Sequence, residues 1–82
     1  MNEIFIIGKV VSKIKYKFII NSKKYFAKVE FEIELNKQRF QIKGYNNIAD
    51  FCYRKLKKND MIFINGKFES SMIINIKSII VM

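Results

Sequence analysis

Two stretches of the chain, Ile14 to Ile20 and Ala27 to Leu35, alternate apolar and polar side chains with period two. Successive side chains of a strand point to opposite faces, so this pattern specifies strands with one buried face. Asn21, Ser22, Lys23 and Lys24 form the turn between them. A hairpin closed there sets Lys15 opposite Glu30 and Lys13 opposite Glu32 on one face, with Ile14 opposite Phe31 and Tyr16 opposite Val29 on the other. A second turn at Asn36 and Lys37 brings Glu34 beside Arg39 and Glu30 beside Lys43, with Ile33 against Phe40 and Phe31 against Ile42. The result is a three-stranded antiparallel meander.

The period changes between Asn47 and Lys58, where Ile48, Phe51, Cys52 and Leu56 share one helical face. A helix of about three turns is predicted, with Asn47 as N-cap, Asp50 in its first turn and Asn59 as a left-handed exit. Two further strands, Met61 to Glu69 and Ile73 to Met82, join through Ser70, Ser71 and Met72 and turn Ile62, Ile64 and Phe68 inward with Ile74 and Ile80. Three strands, a helix and two strands fit an all-β fold with one helix: the five-stranded OB-fold Greek-key barrel, its helix between strands 3 and 4. The first strand is apolar on both faces at Ile4, Phe5, Ile6 and Ile7, so its outer side needs cover, and these four residues are the expected interface of a homo-oligomer.

The length of 82 residues leads to one domain over 1–82, burying roughly 60% of the unfolded chain's surface. The formal charge of +9 favours a polyanionic partner. An AT-rich genome also encodes much Ile, Lys, Asn and Phe, which scatters lysines, so their placement carries the information. No His is present and Cys52 is alone, which removes the usual metal-ligand sets; no metal, cofactor or small-molecule substrate is expected. Without His or a Gly-rich phosphate loop, the chain is not expected to be an enzyme. No apolar run approaches the roughly 18 residues of a membrane span and Glu3 interrupts any signal-peptide pattern, so a cytoplasmic location without membrane contact is expected.

The stretches Asn2 to Val10 (NEIFIIGKV), Tyr45 to Asp50 (YNNIAD) and Leu56 to Phe68 (LKKNDMIFINGKF) resemble, in order and spacing, the bacterial single-stranded DNA-binding protein family, and the likeness spans almost the whole chain. It also extends to primosomal OB proteins. The resemblance implies non-sequence-specific binding of single strands by aromatic stacking and cationic tracking, in dimers or tetramers paired through the first strand. Three departures point to a diminutive or accessory relative. Arg39 stands where the family often has a stacking Trp, the loop between the last strands is short, and no acidic tail follows the final strand.

In the predicted register Arg39, Gln41, Lys43 and Tyr45 face outward on the surface OB proteins use for oligonucleotides, and Tyr45 matches the family's stacking aromatic before the helix. Lys15 and Lys17 continue Lys13 into a basic stripe that reaches Lys23 and Lys24 at the turn, where Tyr25 is a further stacking candidate. The expected ligand is single-stranded DNA, with RNA as an alternative strand, in replication, recombination or DNA transfer. Glu30, Glu32 and Glu34 on the same strand face oppose a polyanion. They favour a competing assignment, an OB-fold protein-interaction module of a replication or transfer complex. Phe26, Phe31, Phe40, Phe51, Phe63 and Phe68 are expected in the core or an interface.

Overall fold

The structure, a computed structural model, describes residues 3–82. Asn2, in the first of the three family-like stretches, lies outside them. Seven elements follow in order: β1 (Glu3–Val10), β2 (Lys15–Asn21), β3 (Lys24–Leu35), β4 (Gln38–Tyr45), α1 (Asn47–Lys55), β5 (Met61–Ser70) and β6 (Ile73–Val81). The sheet runs β1-β5-β6-β4-β3-β2, and an additional β1–β3 pairing closes β1, β5, β6, β4 and β3 into a ring. β4 and β6 pair in parallel, with Ile42 beside Ile74.

The period-two register holds where β3 meets its neighbours. Lys15 pairs with Glu30 and Tyr16 with Val29, while Glu30 pairs with Lys43 and Ile33 with Phe40. Val29, Phe31 and Ile33 therefore enter the core with Ile42, Ile62, Ile64 and Ile74, all nearly inaccessible to solvent. Burying each such side chain contributes roughly 1.5–3 kcal/mol. The Asn36-Lys37 turn has φ of 51° and 67°, the paired positive values of a two-residue hairpin turn whose twist suits the flanking strands.

The first strand departs from expectation. It breaks at residues 11–14, which makes six strands and places the helix after β4 rather than after a third strand. β1 pairs Val10 with Ile33, and β2 resumes with Lys15 opposite Glu30, so residues 11–14 face only Phe31 and Glu32. The two surplus residues bulge out. In place of the expected Lys13–Glu32 and Ile14–Phe31 pairs, Glu32 N–H donates to Ser12 Oγ at 2.8 Å and Val11 N–H donates to the Glu32 carbonyl at 2.9 Å.

The helix begins one residue earlier than predicted and ends sooner. Asn46, not Asn47, occupies the cap with φ 57° and makes no side-chain capping bond. Its N–H donates to the Ala27 carbonyl at 2.9 Å, tying the exit of β4 to β3. Leu56 is already extended, and Lys57 N–H donates to Asp60 Oδ2 at 2.9 Å, closing a turn that contains Asn59 at φ 82°. Ala49, Cys52 and Leu56 seal the core from this side.

Phe68 and Ile80, expected inside, are exposed. Register shifts lie between Asn65 and Gly66, where Lys77 is the extra residue, and between Phe68 and Ser70, where Glu69 is extra. A bulge reverses the facing of the residues beyond it, so Ile79 packs on the core and Ile80 turns out. Gly66 sits at the first bulge, where an added Cβ would collide with the Asn75 carbonyl and lie 2.9 Å from Ile76 Cα. Gly66→Ala is expected to cost about 1–3 kcal/mol in urea unfolding, since backbone rather than a flexible side chain must move.

Candidate nucleic-acid interface

Sheet register arranges the outer face of β2, β3 and β4 in rows. Lys17, Lys28 and Tyr45 stand side by side across three strands. The next row is Lys15, Glu30 and Lys43, continued by Asn75 of β6 and Lys67 of β5. Below it Glu32 meets Gln41, and Glu34 lies between Arg39 and Lys9. Tyr45 is 39% exposed, and its ring centroid lies 6.1 Å from that of Phe26, a half-buried outward residue of β3.

Charge is unevenly neutralised over this face. Lys43 Nζ lies 3.0 Å from Glu69 Oε2, Lys28 Nζ 3.4 Å from Glu30 Oε2 and Arg39 Nη1 3.6 Å from Glu32 Oε1. The second β5 bulge aims Glu69 at Lys43, and Asn75 Nδ2 donates to its other oxygen at 3.0 Å. The hydrogen bond from Lys43 and that from Asn75 hold the Glu69 carboxyl below its ordinary pKa, and the same bond to Glu69 raises that of Lys43. Lys15, Lys17, Lys23 and Lys24 are exposed and form no ion pair among the described residues. Lys17 and Lys28 are like charges directly opposite each other, an arrangement unfavourable in a bare sheet and relieved by an anion between them.

The candidate residues thus separate. Tyr45 and Lys17 converge at one end of the face, while Lys43 and Arg39 are held by carboxylates and Gln41 is half-buried between them. Lys15 lies in the second row, opposite Glu30. Lys23 occupies the hairpin turn and Lys24 follows opposite Asn21, both near the Tyr45 end. Tyr25 is 70% exposed but shares the inward parity of Ala27 and Val29, so it lies on the other side of the hairpin. Glu32 and Glu34 lie toward the far end, away from Tyr45, whereas Glu30 stands in the adjacent row and pairs with Lys28. Sequence reasoning missed Lys28 and the outward position of Phe26, although extending its own register by one pair places Lys28 between Lys17 and Tyr45.

The proposed oligomer residues also divide. Ile4 and Ile6 pack on the core, whereas Phe5, 65% exposed, and Ile7 face outward with Met61, Phe63, Ile80 and Met82 of the neighbouring strands. Phe5 and Phe63 rings lie 6.0 Å apart. Among the described residues no group of three His, Cys, Asp or Glu side chains is placed to hold a metal, and no helix is long and apolar enough to cross a membrane. Burial pushes the Cys52 thiol up to about 12, which keeps it protonated and unreactive.

No protein-family model and no curated protein matches the chain. Solved structures do. The SSB domain of a Synechococcus protein superposes with a TM-score of 0.84 at 14% identity, over 96% of this chain and 93% of that one. The second OB-fold domain of replication protein A from Methanococcus maripaludis gives 0.74 at 18% identity, over 95% and 81%. A mitochondrial single-stranded DNA-binding protein of S. cerevisiae gives 0.68 at 12% identity, over 98% and 92%. The chain has the OB fold of these structures, as its element order led one to expect.

The Lys43–Glu69 pair has a pH signature. Because folding lowers the Glu69 pKa, the pair adds stability above the unfolded glutamate value of about 4.3, and loses it as pH falls below that value. Thermal unfolding between pH 6 and pH 3 is expected to show a smaller acid loss for Glu69→Gln than for the unaltered chain.

Proposed function

We propose that the chain binds single-stranded nucleic acid, DNA in the first place, without sequence specificity, across the outer face of β3 and β4. The observation that carries this is the row Lys17, Lys28 and Tyr45 with Phe26 against it: a stacking surface beside opposed cations, continued by free Lys23 and Lys24. Bases stack on Tyr45 while the lysines follow the phosphates and release their counterions. Arg39, Gln41 and Lys43 extend the track toward β6, and Lys15 flanks it. Support also comes from the similar structures, whose names describe an SSB domain, a domain of replication protein A and a single-stranded DNA-binding protein. An RNA strand offers the same charge and stacking surfaces. The role is binding rather than catalysis, by a single OB domain, in the cytoplasm.

The apolar outer face of β1, β5 and β6 favours self-association as a homodimer or homotetramer. Phe5 and Ile7 contribute to the contact and Ile4 and Ile6 support it from the core. The same exposed face is what favours the second assignment, a protein-interaction module.

Fluorescence anisotropy of a labelled oligo-dT against duplex of equal length, at two salt concentrations, decides between these. Tighter single-strand binding, weakening with salt by about 0.7 log units per log unit of salt for each phosphate neutralised, is expected. Tyr45→Ala should weaken it about 5- to 150-fold, from a stacking contribution of roughly 1–3 kcal/mol. Equally weak binding to both nucleic acids would sink the proposal in favour of a protein partner.

A further inference from the structure

A cleft of about 190 Å³ opens between the β2–β3 hairpin and the first turn of α1. The hairpin projects past the helix, so the inward faces of its outer residues have nothing beneath them: Phe18 is 57% and Ile20 75% exposed. Phe18 and Tyr25 rings lie 5.4 Å apart and form an aromatic wall, with Phe26 at its margin. Across from them stand polar groups of the β4–α1 junction, Asn46, Asn47 and Asp50. Tyr16 Oη donates to Asp50 Oδ1 at 2.7 Å and so fixes that carboxylate, leaving Oδ2 without a hydrogen-bond partner among the described residues.

Two features say what enters. From Lys13 to Lys28 the chain carries six lysines and no carboxylate, so the hairpin that roofs the cleft draws a polyanion to its outer face and turn, while Asp50 is the charged group that lines the cleft itself. Phe26 borders the cleft and its outward ring lies 6.1 Å from that of Tyr45, so the cleft and the outer stacking surface are neighbours across β3. The volume is below the roughly 300–1,000 Å³ of a drug-sized site and suits a single planar ring system.

We infer that this cleft is a nucleobase pocket for the strand held at Tyr45, and that Asp50 makes it favour a base with a donor edge, guanine first and thymine last. The inference rests on the single-strand assignment above. Guanine presents two adjacent donors, its ring N–H and its amino group, to a carboxylate. Cytosine and adenine present an amino group, and thymine sets two carbonyl oxygens around its one N–H, which a carboxylate repels. A strand of otherwise unselective affinity thereby acquires one discriminating position.

The test compares a labelled dT oligonucleotide with the same oligonucleotide carrying one central dG, or one dI, which lacks the amino group. The dG strand is expected to bind about 5- to 150-fold tighter than dT, the range of a good bidentate contact to a base, with dI between them. Asp50→Asn should abolish the dG preference while retaining dT binding, and the exposed Phe18→Ala should weaken all three strands. Equal affinity for dT and dG strands, unchanged by Phe18→Ala, overturns the pocket and leaves the single-strand assignment standing. Binding to none of the strands overturns both.

Discussion

β3 pairs with β2 and β4 along most of its length and with β1 at its end, so the placement of the whole sheet depends on the facing of its twelve residues. A slip of one residue would turn Glu30 and Glu32 into the core and Val29, Phe31 and Ile33 to solvent. Burying unpaired carboxylates at such positions is prohibitive, so the alternation admits one register. That register also settles the outer face. Once Val29 and Phe31 point in, Lys28 and Glu30 must point out, and their partners on β4 must be Tyr45 and Lys43.

Core and surface are thus one constraint seen from two sides. The apolar parity of β3 closes the ring, and its polar parity builds a surface with a gradient: cations and aromatic rings near the hairpin turn, carboxylates toward the opposite end. Ion pairs at Arg39 and Lys43 neutralise the acidic end. They are exposed or partly exposed contacts of small stabilising value, and their larger effect is on the field a phosphate meets. The lysines near Tyr45 that lack such partners keep their charge available.

Much of this was legible in the residues. The two hairpins, the Asn36-Lys37 turn, the helix and the OB topology follow from alternation, turn composition and one change of period. What could not be read was geometry set by single contacts. Ser12 Oγ takes the Glu32 N–H and lets two residues bulge out, which splits the first strand, and a serine in a strand pattern does not announce that role. The bulges at Lys77 and Glu69 reverse the facing of Ile80 and aim Glu69 at Lys43, and the first sits where Gly66 closely approaches the Asn75 carbonyl. At the site, Tyr45, Lys17 and the turn lysines were visible. The register implies Lys28 as well, whereas the size of Phe26 points to burial and conceals its outward position.

On the proposed function a single strand lies on the outer face of β3 and β4 at the Tyr45 end. Backbone amide chemical-shift mapping during titration with a short oligo-dT tests it most directly. The largest shifts are expected on Lys17, Phe26, Lys28 and Tyr45, with little change at Phe5, Ile7 and Ile80. Shifts concentrated on β1, β5 and β6, or none at saturating oligonucleotide, would contradict it.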